Sequence, residues 1–231
     1  IVDDVMSDLT IDFKFEADEF LKNSIRFHVG FESQSLSHAS QLVAYADASP
    51  STAIATTDGH SGGGAFFDRN SALILQTNKQ FFTKTMTTCA WMKKTLPIDT
   101  LFTTIFGFGD EFVLHYSAYF DDVSFLVGDS EVRATDRELA SPKYEWTHFC
   151  VSTAAEGMAI LYAGGVRVAE AAAGAGAGAT IATTFAVGAS TDTTVFQETR
   201  NNRGFGGFVD DVKSWARQLS DKEVKMVFES V

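Results

Sequence analysis

Two cysteines stand in this 231-residue chain, Cys89 and Cys150. The second lies in EWTHFCVS, residues 145–152. Under strand alternation Trp146, His148, Cys150 and Ser152 share one face, and Thr147, Phe149 and Val151 the other. A histidine so close to a thiol can serve as a ligand or a base, or as a plain strand residue. No familiar catalytic spacing accompanies it: there is no Gly-x-Ser-x-Gly elbow, no Walker loop and no His-rich zinc pattern. The nearest approach to a catalytic carboxylate run, EVRATDRE, holds Glu131, Asp136 and Glu138. Their spacing has mixed parity, so one strand could not aim all three into a cleft, and the run reads as a solvated turn or edge.

The elements that must carry these residues are strands. TIDFKFEA sets Ile11, Phe13 and Phe15 against Asp12, Lys14 and Glu16, the pattern of a half-buried strand. SIRFHVGFE, SALILQ, TMTTCAWM, TLFTTIFGFG, EFVLHYSA, VSFLVG, MAILYAGG and GFVDDVKSW repeat it, separated by turn residues such as Asp58-Gly59, Gly128-Asp129 and Gly164-Gly165. Short strands at this spacing predict a sandwich or jelly roll rather than βαβ units. One helix is expected, in LSDKEVKMVFESV. Ser220 and Glu223 form a capping box, Leu219 and Val224 a staple, and Val224, Val227, Phe228 and Val231 one apolar face. Residues 34–64, rich in Ser, Ala, Thr and Gly, predict a long surface loop. AAAGAGAGAT, residues 171–180, predicts a mobile hairpin tip or a flat, silk-like edge between subunits.

Composition narrows the partners. With 45% hydrophobic residues and 21 Phe the chain can bury a full core. A formal net charge of −12 repels phosphate backbones and anionic lipid, which excludes nucleic acid and membrane surfaces as natural partners. No apolar run is long enough to cross a bilayer. The opening IVDDVMSD carries neither an initiator Met nor a signal sequence, which suggests an excised piece of a longer protein.

Three landmarks together resemble the laminin G-like and pentraxin branch of the concanavalin A-like jelly rolls. GHSGGGAFFDRNSALILQ resembles the opening of that family, FTKTMTTCAWMKK its strand ending in Trp, and GFGGFVDDVKSWARQLSDKEV its closing signature. HFCVS further resembles the pentraxin signature, although Thr153 stands where that signature has Trp. The resemblance implies that Cys150 pairs with Cys89, and such a bridge implies an oxidising compartment. The alternative is two reduced core cysteines, and in either case His148 reads as a strand residue beside them. It also implies structural roles for Trp91, Trp146 and Trp215. A structural calcium would fall to Glu32, Asp68 and Asp210 or Asp211, hard oxygen ligands from separate strands. A second, loop-borne calcium would use Asp110, Glu111 and Asp192, whose expected acidic and amide neighbours are absent. Laminarinase-like enzymes on this sandwich carry Glu-x-Asp-x-x-Glu on one strand, and no such run occurs here. Tyr116, Tyr119 and Phe120 in HYSAYFDD are the candidates for stacking on a glycan.

The expectation is thus an all-β chain: a two-sheet antiparallel jelly-roll sandwich, concanavalin A-like, with a short C-terminal helix. Residues 1–24 would be an N-terminal strand or extension, and residues 25–231 the laminin G-like domain. The expected work is extracellular recognition or adhesion, with a glycan or an extracellular protein as partner and calcium as the cofactor. The alternative is a structural subunit of an extracellular filament or coat that contacts its own neighbours, and the third reading is a glycoside hydrolase or lyase.

Overall fold

Period-two patterning requires paired strands with one face buried, and paired strands dominate the molecule. The computed structural model describes residues 25–29, 43–45, 51–52, 54–56, 58–68, 71–76, 85–95, 102–108, 112–117, 121–134, 145–154, 157–174, 184–188 and 204–230. In chain order the strands are β1 (Ile25–Val29), β2 (Val43–Tyr45), β3 (Ser51–Thr52), β4 (Ile54–Thr56), β5 (Gly64–Asp68), β6 (Ser71–Gln76), β7 (Met86–Lys94) and β8 (Phe102–Phe108). They continue with β9 (Phe112–Ser117), β10 (Asp122–Val127), β11 (Ser130–Arg133), β12 (Thr147–Thr153), β13 (Met158–Ala163), β14 (Val166–Ala172), β15 (Thr184–Val187) and β16 (Gly206–Trp215). The described helix, α1, is Asp221–Glu229. The expected strand TIDFKFEA and the extension 1–24 lie outside the described residues.

The strands form two eight-stranded sheets. Sheet A runs β14-β13-β12-β7-β16-β5-β4, with β1 also on β16; sheet B runs β11-β10-β9-β8-β15-β6-β2, with β3 on β6. Among the described pairs only the short β3–β6 contact and an isolated Thr104–Gly204 bridge are parallel. The two-sheet antiparallel sandwich expected from the patterning is therefore present. Between the sheets lies one apolar core, including Phe67, Met92, Phe149, Leu161 and Val209 from sheet A and Phe106, Phe112, Leu114, Phe125 and Phe185 from sheet B. Phenylalanine supplies much of it through tilted and edge-on pairs: Phe108–Phe185 at 4.6 Å and Phe112–Phe125 at 4.8 Å between centroids.

Sheet A is buried on its other face too. Cys89, Cys150, Ile160, Tyr162, Trp215 and Leu219 gather there with Val224 and Val227 of α1. The helix begins as its sequence requires. Ser220 is the N-cap, the Ser220–Glu223 capping box is complete, and Leu219 and Val224 are both buried. Val231 lies outside the described residues.

Two segments depart from expectation. The loop predicted over residues 34–64 contains β2, β3 and β4, and β4 pairs with β5 at the edge of sheet A. Edge strands pair through backbone groups and need few large side chains, so composition conceals them. The Ala/Gly segment begins as ordered strand: Ala171 and Ala172 close β14, and the Gly174 N–H donates to Val127 O at 3.1 Å. A Cβ on Gly174 would lie 2.3 Å from the Asp129 nitrogen, so only glycine admits this close approach. Residues 175–183 lie outside the described residues.

Candidate functional site

The outer face of sheet A is built from three successive rungs across β12, β7, β16 and β5. In the first rung Cys150 lies directly opposite Cys89, and Cys89 opposite Lys213. The cysteines are joined as a disulfide, with an S–S distance of 2.03 Å and 61 residues of separation. Helix α1 covers this rung. The second rung is His148, Trp91 and Asp210. The third places Lys93, Phe208 and Phe66 opposite one another, with Trp146 6.3 Å from Phe208 between ring centroids.

Above the second rung sits the short loop of residues 58–63, wound by a bond from Gly59 N–H to Gly62 O at 3.0 Å. Gly59 permits this winding, since a Cβ there would lie 2.1 Å from Gly63 O. Asp210 ties the loop to the sheet: the N–H groups of His60 and Ser61 donate to its Oδ2 at 3.0 and 3.2 Å. The His60 imidazole lies flat on Trp91, 3.4 Å between centroids and 10° between planes. Phe228 of α1 approaches Trp91 at 5.5 Å and His148 at 5.7 Å. A continuous aromatic surface results, sealed at the α1 end and open at the third rung. There Phe66, Phe208 and Trp146 are half-buried, and Lys93 sits 5.7 Å above the Phe208 ring and 3.9 Å from Asp58.

A β-bulge shapes the electrostatics beneath. Between the second and first rungs β16 advances three residues, Asp210 to Lys213, while β7 advances two, and Asp211 takes the left-handed conformation at φ 55°. Asp211 pairs with buried Lys213 at 2.7 Å. Asp210 is 3% exposed, and burial pushes its carboxyl up to about 7, against the pull of the N–H donors. Burial, helped by the Lys213 charge, holds His148 down to about 3, so its imidazole is neutral. Its ring nitrogens lie 3.9 Å from Cys150 Sγ, a sulfur already bonded to Cys89. At this rung the disulfide leaves neither cysteine as a thiol, and His148 is buried away from solvent.

The expected site residues are dispersed. Asp68 lies opposite Gly206, whereas Asp210 lies opposite Trp91. Four residues of β16 separate the two positions, about 13 Å of strand. Asp210 Oδ2 is turned to amide donors, and Asp211 is paired with Lys213. Glu32, Asp110, Glu111, Asp192, Tyr119, Phe120, Asp136 and Glu138 lie outside the described residues. Tyr116 is not an exposed stacking residue. It is 1% exposed because it shares the inward parity of Phe112 and Leu114, and its hydroxyl donates to Asp121 and accepts from Lys94 at 3.1 Å. Trp91 and Trp215 are buried as expected, but Trp146 is half-buried beyond the reach of α1. Sequence reasoning missed the site because its rings come from separate strands, a loop and α1. Only the shared outward parity of Trp146, Phe208 and Phe66 could have pointed to it.

Two other surfaces carry polar groups. On β9–β11, Arg133 bridges Asp122 at 3.2 Å and Glu131 at 2.7 Å, and Glu131 also approaches His115 at 3.6 Å. These contacts, the neighbouring His115 imidazole foremost, hold Glu131 down to about 2, the opposite of what a general acid requires. At the start of α1 an open depression of about 560 Å³ is lined by Tyr162, Arg167, Asp221 and Lys222, among others. Its charges are already engaged, Arg167 with Asp221 and with Glu170, each at 2.6 Å.

Solved structures share this architecture. The binding domain of Paraclostridial Mosquitocidal Protein 1 superposes with a TM-score of 0.66 at 16% identity, over 91% of this chain and 53% of that one. The receptor binding domain of botulinum neurotoxin D gives 0.68 at 10% identity, over 90% and 52%. This chain therefore spans about half the length of those toxin domains. Domain 4 of AbnA, a GH43 extracellular arabinanase from Geobacillus stearothermophilus, solved with arabinotriose, gives 0.63 at 16% identity, over 88% and 98%. No curated protein sequence matches the chain. Residues 67–225 match the Laminin_G_3 family model. That stretch covers β7 to β16 and the capped start of α1, and by it the chain belongs to the concanavalin A-like lectin/glucanases superfamily.

Proposed function

We infer that this chain is a carbohydrate-recognition module of a larger extracellular protein, with the sugar seated on the outer face of sheet A. The observation that carries this reading is the third rung, where the half-buried rings of Phe66, Phe208 and Trp146 stand beside Lys93 and Asp58. A sugar ring has apolar C–H faces and a rim of hydroxyls. Aromatic rings accept the faces, and a neighbouring ammonium and carboxylate suit the rim. Support comes from the arabinotriose complex of a domain that this chain matches over almost its whole length. An extracellular setting is supported by the disulfide, which persists in oxidising compartments.

A glycan array, run with and without EDTA, tests the reading and whether calcium takes part. Trp146→Ala and Phe208→Ala should each weaken the best array ligand by about tenfold, the loss of one ring contact of roughly 1.4 kcal/mol. An array without ligands, or affinities unchanged by both substitutions, would overturn it.

A further inference from the structure

We propose that residues 58–63 form a displaceable plug: His60 occupies a ring-stacking seat on Trp91 that a second sugar ring of the bound glycan takes when the loop lifts. This rests on the carbohydrate reading and extends the site from the open third rung to the covered second one. The imidazole lies on the indole as a flat ligand would, at 3.4 Å and 10°. Yet the contact is incomplete. Trp91, 6% exposed, has its Nε1 buried with no hydrogen-bond partner, and the buried Nδ1 of His60 has none either. A buried N–H left unpaired costs free energy, so closure of the loop over Trp91 leaves this site incompletely satisfied.

The loop is suited to move as a unit. It is closed on itself by the Gly59–Gly62 bond, Gly62 adopts φ 94°, and its ties to the sheet include the two backbone N–H groups on Asp210 and the Lys93–Asp58 ion pair at 3.9 Å, whose carboxylate is exposed. The seat adjoins the open rung, because His60 also meets Trp146 edge-on at 6.0 Å. Displacing His60 would lengthen the platform inward from Trp146 to Trp91. A ligand must then work against closure, so its apparent affinity is reduced by the fraction of molecules that are open.

Two substitutions at His60 separate a plug from a contact residue. His60→Ala empties the seat, whereas His60→Phe keeps a ring in it. Isothermal titration with arabinotriose, and with the best array ligand, should show His60→Ala binding about tenfold more tightly than the unsubstituted protein if no more than about a tenth of molecules are open. His60→Phe should show no gain. In a Trp146→Phe background, acrylamide quenching of tryptophan emission should rise with His60→Ala and stay level with His60→Phe, because Trp215 is fully buried. Binding that Trp146→Ala weakens, but that His60→Ala leaves unchanged or weaker, would keep the carbohydrate reading and overturn the plug. No binding by any of these proteins would remove both.

Discussion

At the residue scale the most consequential group is Asp210, a carboxyl that its sequence context marked as a cation ligand and that the fold uses as a clasp for a loop. Its folded value of about 7 lies above the ordinary value of 3.8. The native state therefore holds this proton more tightly than the unfolded chain. The associated stability is fully present below about pH 4 and is lost as pH rises through about 7. His148 acts in the opposite direction. Held at about 3 against an ordinary 6.5, it withdraws stability as pH falls from about 6.5 towards 3. The two partly cancel in the unsubstituted protein, so the informative quantity is a difference. Asp210→Asn should gain stability relative to the unsubstituted protein between pH 4 and 7.5, by on the order of a few kcal/mol. Denaturant melts of both proteins across that range check it, and a constant difference would show that Asp210 is solvated in the native state.

At the element scale, α1 and the β7–β12 pair hold the outer face in place. The Ser220 hydroxyl accepts from Glu223 N–H, and the Glu223 carboxylate accepts from Ser220 N–H at 2.8 Å and from Arg217 at 2.6 Å. Ser220→Ala should cost about 1 kcal/mol, read as a lowered denaturation midpoint with an unchanged slope. The disulfide closes a loop across 61 residues of separation, and replacing both cysteines with alanine should cost about 3–4.5 kcal/mol in the chain-entropy model. Far-UV circular dichroism of the double variant below its lowered midpoint should still show the sheet spectrum. At the flank, β14 is irregular ahead of the Ala/Gly segment. Tyr162 opposes Arg167 and Leu161 opposes Ala169, so Val168 is an extra, bulged residue. Arg167 and Glu170 are thereby brought to one side, where they pair at 2.6 Å. A bulge and paired charges blunt an edge strand, which weighs against edge-to-edge assembly through this part of β14.

At the scale of the whole molecule, charge is the dominant collective property. A net −12 on 231 residues opposes compaction by self-repulsion. Raising ionic strength from about 10 to 150 mM, which shortens the screening length from roughly 30 to 8 Å, should therefore raise Tm. A Tm that falls with salt would mean that attractive pairs such as Arg167–Asp221 and Arg217–Glu223 outweigh the repulsion. Both sheets contribute to one core, so heat should unfold the described sandwich in a single transition rather than sheet by sheet.

What the sequence determined by itself, among the described residues, was what depends on local period. SALILQ is β6 from end to end, HFCVS lies within β12, the Asp-Asp strand is β16, and the capping box starts α1 where Ser220 stands. Each rests on alternation or capping, which act over a few residues. The cysteine pairing rested on a resemblance, and the register that sets Cys89 opposite Cys150 confirms it. What only the tertiary structure decided depends on register between distant strands and on what covers each face. Parity says that Tyr116 and Trp146 each face one side of a sheet, but not which side is core. The second sheet buries Tyr116, and the limited reach of α1 leaves Trp146 half-open. Asp68 and Asp210 similarly look like partners in sequence, until the β5–β16 register sets them four residues apart. The aromatic platform has no sequence signature of its own, because Phe66, Trp146 and Phe208 become neighbours only when β5, β12 and β16 assemble around β7.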